Sequence, residues 1–138
     1  MAGSKSNYLE NALLDHVLGG PDYTRPATVY MGLFTVAPSD SGGGTEASTG
    51  VWTNYARAAV TNNNTNFPAA SGGIKTNGTA VSFGTASISG TAPTIVGYGI
   101  YDASVAGNLL FWASFTGQIV NNGSPISIQA GDLSVTED

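Results

Sequence analysis

The chain has 138 residues, a formal net charge of −5 and no cysteine, so it holds one domain's worth of core and excludes disulfide frameworks, thiolate metal sites and thiol chemistry. Its apolar share, 41%, is that of a folded protein, yet only 9% of its residues are charged, where an ordinary soluble domain carries about 25%. The only cations are Lys5, Arg25, Arg57 and Lys75, too few to neutralise a run of phosphates, so no nucleic-acid partner is expected, and the charge-poor surface points to association with other protein.

In chain order, residues 7–18 read as a short amphipathic helix. Asn7 stands as its cap, with Glu10 at capping-box spacing. Leu9, Leu13 and Val17 form its stripe, Ala12 and His16 lie beside them, and Gly19, Gly20 and Pro21 end it. Residues 1–20 lack the basic region and unbroken apolar run of a signal peptide, and no run is long enough to span a bilayer. Synthesis and folding in the cytoplasm, with no membrane partner, are therefore expected.

The period then changes to β. Residues 27–37 form a central strand with bulk on both faces: Val29, Met31 and Leu33 on one, Tyr30, Phe34 and Val36 on the other. Residues 39–50, with three consecutive glycines, read as an exposed excursion. Residues 52–61 read as the next strand, 62–66 as an asparagine run, 68–73 as a turn, and 79–83 as a short strand that 86–89 continue. Residues 94–101 and 109–115 pair as a hairpin through the turn-rich segment 102–108. Strands at 118–120, 125–129 and 133–136 follow, separated by turns at 121–123 and 131. Gly97 and Gly99 leave one face of their strand bare, so a ring or a backbone can approach there.

About seven to nine short strands with one helix predict a mainly β chain. The expected architecture is a single β-sandwich or Greek-key-like domain over 1–138, with an N-terminal helix at 7–18 and the sandwich at 27–136.

Little in the sequence resembles a reaction centre. His16 is the only histidine, and with no cysteine a transition-metal site would need carboxylates alone to complete it. No Gly-x-Ser-x-Gly elbow occurs, and the glycines at 42–44 lack the Lys-Ser/Thr ending of a phosphate loop. Asp102 and Asp132 could be paired as glycosidase carboxylates, but each stands where a turn is expected. No catalytic residue, cofactor or metal site is therefore assigned. The aromatics Trp52, Tyr55, Tyr98, Tyr101, Phe111 and Trp112 suit a core or an interface better than a sugar-stacking surface, because Phe111 and Trp112 face opposite ways. The sequons at Asn63, Asn77 and Asn122 would matter only in a secretory setting.

The segments SNYLENALLDHVLGG, VYMGLFTVAPSDSGGGTE, YARAAV with its asparagine-rich sequel, VGYGIYDASVAGNLLFWASF and ISIQAGDLSV together resemble a family of small virion structural proteins of tailed phages. The resemblance runs from about Ser6 to Val135 and supplies no catalytic residues. It implies a virion location, reached without a leader. Two roles are implied by it. A capsid decoration (cement) protein bracing the head is favoured, because the chain is short and non-repetitive. The alternative is a tail or tail-fibre-like protein that binds a host surface glycan. The expected partners are other copies of the chain, a trimer being favoured, and the major capsid protein or other virion proteins. The expected contacts lie in the helix at 7–18 and the strand at 29–36, through Leu9, Leu13, Val17, Tyr30 and Phe34, together with Trp52 and Trp112. The loop at 39–50 and the run at 62–66 face either the capsid or solvent.

Overall fold

A computed structural model describes residues 2–137, the Ala2 side chain excepted. Among them are one helix and ten strands: β1 (Ala2–Lys5), α1 (Asn7–Val17), β2 (Thr28–Val36), β3 (Thr45–Glu46), β4 (Ala58–Thr61), β5 (Ile74–Thr76), β6 (Val81–Thr85), β7 (Thr94–Tyr101), β8 (Leu109–Ile119), β9 (Pro125–Ile128) and β10 (Ser134–Thr136). The fold is mainly β and sandwich-like, as expected. The larger sheet runs β3-β2-β7-β8-β1-β10-β5, with β4 sharing the edge of β2 that β3 also uses. A smaller antiparallel sheet pairs β6 with β9.

β2 is central because its apolar residues are needed on both faces. Val29, Met31 and Leu33 enter the main core, joined by Trp52, Ile95, Tyr98, Ile100, Leu110 and Leu133. On the other face Phe34 is buried and stacks on Tyr101, ring centroids 6.4 Å apart. β7 and β8 form the predicted hairpin, and β8 continues unbroken to Ile119, merging two predicted strands into one.

The helix starts one residue earlier than the capping pattern suggests. Ser6 is the N-cap: its Oγ accepts the Leu9 N–H at 3.3 Å and donates to the Leu109 carbonyl, while its own N–H donates to the Leu110 carbonyl at 2.9 Å. Glu10 thereby falls one position beyond capping-box spacing. Ser6 is preferred because its hydroxyl ties the helix start to β8, an anchor that Asn7, exposed on the first turn, does not reach.

Four further segments differ from expectation. Residues 52–55 form a turn rather than strand, with Trp52 and Tyr55 N–H groups donating to the Ser48 and Trp52 carbonyls. The turn drives the Trp52 indole into the core between Tyr55 and Phe83. The glycine-rich loop folds back as β3, because Gly44, at φ +77°, lies where a Cβ would come within 2.6 Å of the Val36 carbonyl oxygen. β1 and β5 have no strand signature and exist by pairing: β1 lies between β8 and β10, and β5 lies against β10.

The bare face predicted at Gly97 and Gly99 is filled by close neighbours. A Cβ on Gly97 would stand 2.6 Å from the Ala113 carbonyl oxygen, and one on Gly99 would meet Leu109, Tyr101 and Phe34 within 3.1 Å. Gly97→Ala is expected to lose about 1–3 kcal/mol of stability by overpacking. Gly50→Ala, where the nearest atom would be an ordinary 3.6 Å away, should stay close to wild type. Urea unfolding of the pair measures the difference, and equal midpoints would show that the β7–β8 contact is looser than described.

Candidate interaction surface

Three of the segments that carry the family resemblance meet in one half-buried clasp. β2 and β7 place Gly32 directly opposite Gly99, which opens a strip with no side chains. Into it reach Glu46 from β3, Tyr55 and Arg57 from the segment before β4, and Tyr101 from the end of β7. Arg57 grips Glu46 in a fork, Nη2 to Oε2 at 2.8 Å and Nε to Oε1 at 3.0 Å. Its Nη1 donates to the Ala103 and Ala106 carbonyls at 3.0 and 2.8 Å, and its guanidinium carbon lies 3.6 Å above the Tyr101 ring centroid. Tyr55 Oη donates to Glu46 Oε1 at 2.7 Å and accepts the Leu33 N–H at 2.9 Å. Burial pushes the Tyr55 phenol far above its ordinary value, with the Glu46 hydrogen bond adding to the rise. Burial opposes the charge on Arg57, but Glu46 more than offsets it and the guanidinium is held more firmly protonated. The clasp therefore fastens the 102–108 loop to the β3 edge. That loop is stiffened again by Asp102, whose two oxygens accept the Asn108 backbone N–H at 2.7 Å and side-chain amide at 2.8 Å. Asp102 is thus a turn organiser. Asp132 lines a separate groove beside β9, whose walls do not include Asp102.

The seven residues expected at a partner contact do not share a surface. Leu9, Phe34 and Trp52 are buried within the chain and serve its own packing. Burial of Trp52 also removes it as a sugar platform, and its indole N–H finds no acceptor among the described residues. Leu13, Tyr30 and Trp112 are half-buried, and the Trp112 Nε1–H donates to Asp40 Oδ1 at 3.0 Å. Val17 alone of the seven is well exposed. His16 is exposed, and its Nδ1 accepts the Tyr23 N–H at 3.2 Å, which ties the chain beyond the helix back to it. Asn77, one of the three sequons, is buried, so its amide is not accessible in the folded chain.

What the surface does offer lies on the two sides of α1. Its inner face, Leu9 and Leu13, forms one wall of an apolar cleft of about 340 Å³, completed by Phe67, Phe111, Leu133 and Val135 among others. Arg25, Lys75 and Glu137 stand at the same cleft. Glu137 pairs with Lys5, and Lys75 donates to the Pro68 carbonyl at 2.8 Å. Arg25 is exposed and makes no hydrogen bond or ion pair among the described residues. Two of the chain's four cations thus line one apolar hollow, and a third, Lys5, pairs with the Glu137 at its edge. On its outer face α1 presents Leu14, Val17 and Leu18, exposed by 60%, 73% and 79%. Leu14 and Leu18, exposed as they are, are not among the seven residues expected at a contact. Their i, i+4 spacing was legible, but Leu9, Leu13 and Val17 make an equally regular stripe, and sequence alone does not say which stripe turns inward.

The chain thus offers braced loops, a cleft with charged residues at its edge and an apolar helix end. Residues 4–136 match the family described as podophage GP4 fiber I protein gp80, and the chain belongs to that family. It is accordingly a tailed-phage virion structural protein. A search of curated proteins finds no match. No helix among the described residues is long and apolar enough to cross a membrane.

Proposed function

We propose that the chain is a component of a phage fibre, working by binding and assembly rather than by catalysis. The observation that carries this reading is the family match, which spans nearly the whole chain and is described as a fibre protein. It favours the tail-fibre-like alternative over the head decoration role preferred on chain length. The braced loops fit the same role, since a fibre part meets mechanical load and gains from loops that do not fray. Assembly with other copies of the chain, a trimer being favoured, and attachment to other virion proteins belong to the same proposal, and the charge-poor surface and the exposed end of α1 support it. A host surface glycan remains the outward-facing ligand of this reading, with Trp52 no longer among its contacts.

Immunogold labelling of intact virions with an antibody to this chain tests the assignment. Gold confined to fibres or the tail is the expected pattern. Gold spread evenly over heads would return the decoration role to first place.

A further inference from the structure

We infer that the apolar cleft beneath α1 receives the exposed tip of α1 from a second copy of this chain, a ridge-in-cleft contact that repeats around the assembly. The inference rests on the reading that copies of the chain assemble, and it names the surfaces that do so.

Leu14, Val17 and Leu18 stand at i, i+3 and i+4, the spacing with which a helix sets anchors into a groove. They are the three consecutive anchors of one helix end, and all are exposed. The groove they fit is present on the same chain. It is apolar, with a volume of about 340 Å³, and so has room for several such side chains.

Charge supplies the choice of occupant. The chain is acidic overall, yet Arg25 and Lys75 stand at the cleft. The ridge is flanked by acids: Asp15 within it in sequence, and Asp22 just beyond it, 3.5 Å from His16 Nδ1 but with its side chain 92% exposed. An apolar ridge edged by carboxylates meets an apolar hollow edged by cations, and the unpaired guanidinium of Arg25 gains a partner. Glu137 does not oppose this, because Lys5 holds it.

Ridge and cleft are different patches, so the contact is heterologous and each chain offers one of each. Because α1 carries the ridge and also walls the cleft, one packing relation engages both in turn, and a ring closes when the rotation between neighbours divides a full circle.

The test uses two surface variants of the full chain. V17D/L18S replaces two of the three ridge anchors and puts a charge in their place, and both positions are exposed, so the fold is expected to survive. A70W/R25E blocks and recharges the cleft from two exposed positions. Far-UV circular dichroism and the thermal midpoint confirm folding, and sedimentation equilibrium reads the mass. Wild type is expected to be oligomeric. Each variant alone should be monomeric, its dissociation constant raised about 100-fold or more. An equimolar mixture of the two should form a dimer, since one intact ridge and one intact cleft remain between them. Raised salt should weaken that dimer.

A folded variant that keeps the wild-type mass overturns the ridge-in-cleft contact while leaving self-assembly standing. Two monomeric variants that fail to pair on mixing overturn it as well, in favour of a contact that is the same patch on both copies. A wild-type chain that stays monomeric at every concentration overturns self-assembly and this contact together.

Discussion

Arg57→Met is expected to destabilise the chain by about 3–5 kcal/mol, the range for removing one partner of a buried ion pair. The two side chains are only 9% and 24% exposed, so solvent screens the pair weakly. Methionine preserves much of the aliphatic stem but leaves the Glu46 carboxylate facing Tyr55 with no cation. It also strands the Ala103 and Ala106 carbonyls and uncovers the Tyr101 ring. The loss should appear as a drop on the order of 10 °C in the thermal midpoint. Hydrogen exchange should show it first in the 102–108 loop, which the guanidinium holds. Arg57→Lys should recover only part, because one ammonium cannot fork to a carboxylate and reach two carbonyls as well. The double variant Arg57→Met with Glu46→Gln should be less damaged than Arg57→Met alone, since no buried charge is left unpaired. A single variant within about 1 kcal/mol of wild type would mean that the clasp is ornamental to stability.

Asn77 carries the second large expectation. It is 2% exposed, and every hydrogen-bonding position of its side chain is used. Its amide donates to the Thr79 and Gln129 carbonyls at 2.9 and 2.8 Å, and its oxygen accepts the Gly131 and Leu133 N–H groups, both at 3.0 Å. One side chain thus ties the end of β5 to the turn between β9 and β10. Asn77→Ala is expected to cost about 2–3 kcal/mol, because four backbone groups lose a hydrogen bond, although the Gly131 N–H keeps the Asn77 carbonyl at 2.8 Å and the Gln129 carbonyl keeps the Asp132 N–H at 3.2 Å. Asn77→Asp keeps the shape but turns two donors into acceptors aimed at two carbonyls. At neutral pH it should be the worse of the two. Burial and the facing carbonyls raise the folded carboxyl above its unfolded value of about 3.9, so the native variant holds a proton that the unfolded chain has released. Its stability relative to wild type should therefore be greatest at low pH and fall as pH rises through the raised value. Urea titrations of both proteins at pH 5 and pH 8 read the slope. A gap between them that does not widen with pH would show that the site is wetter than described.

Much of the fold was legible because it is written in local signals. The β2 strand and the β7–β8 hairpin follow from β-branched and aromatic runs between prolines, glycines and turn formers. The paired glycines of β7 correctly announced a close approach, since a residue without a Cβ in a strand has that use. β1 and β5 were not legible, because Ala2–Lys5 and Ile74–Thr76 carry little β preference and become strands only when β8 and β10 offer them an edge.

The contact residues divide along the same line. The amphipathic character of α1, the scarcity of charge and the family itself were determined by sequence alone, as each is a property of composition or of neighbours a few residues apart. Tertiary structure decided which stripe of α1 turns inward, that Trp52 belongs to the core and not to a surface, and that Glu46, Tyr55, Arg57 and Tyr101 form one unit. The physical reason is that burial and charge pairing depend on which distant segments a fold brings together. A helix with two apolar stripes, or an arginine eleven residues from its glutamate, has no fixed environment until the sheet between them is built.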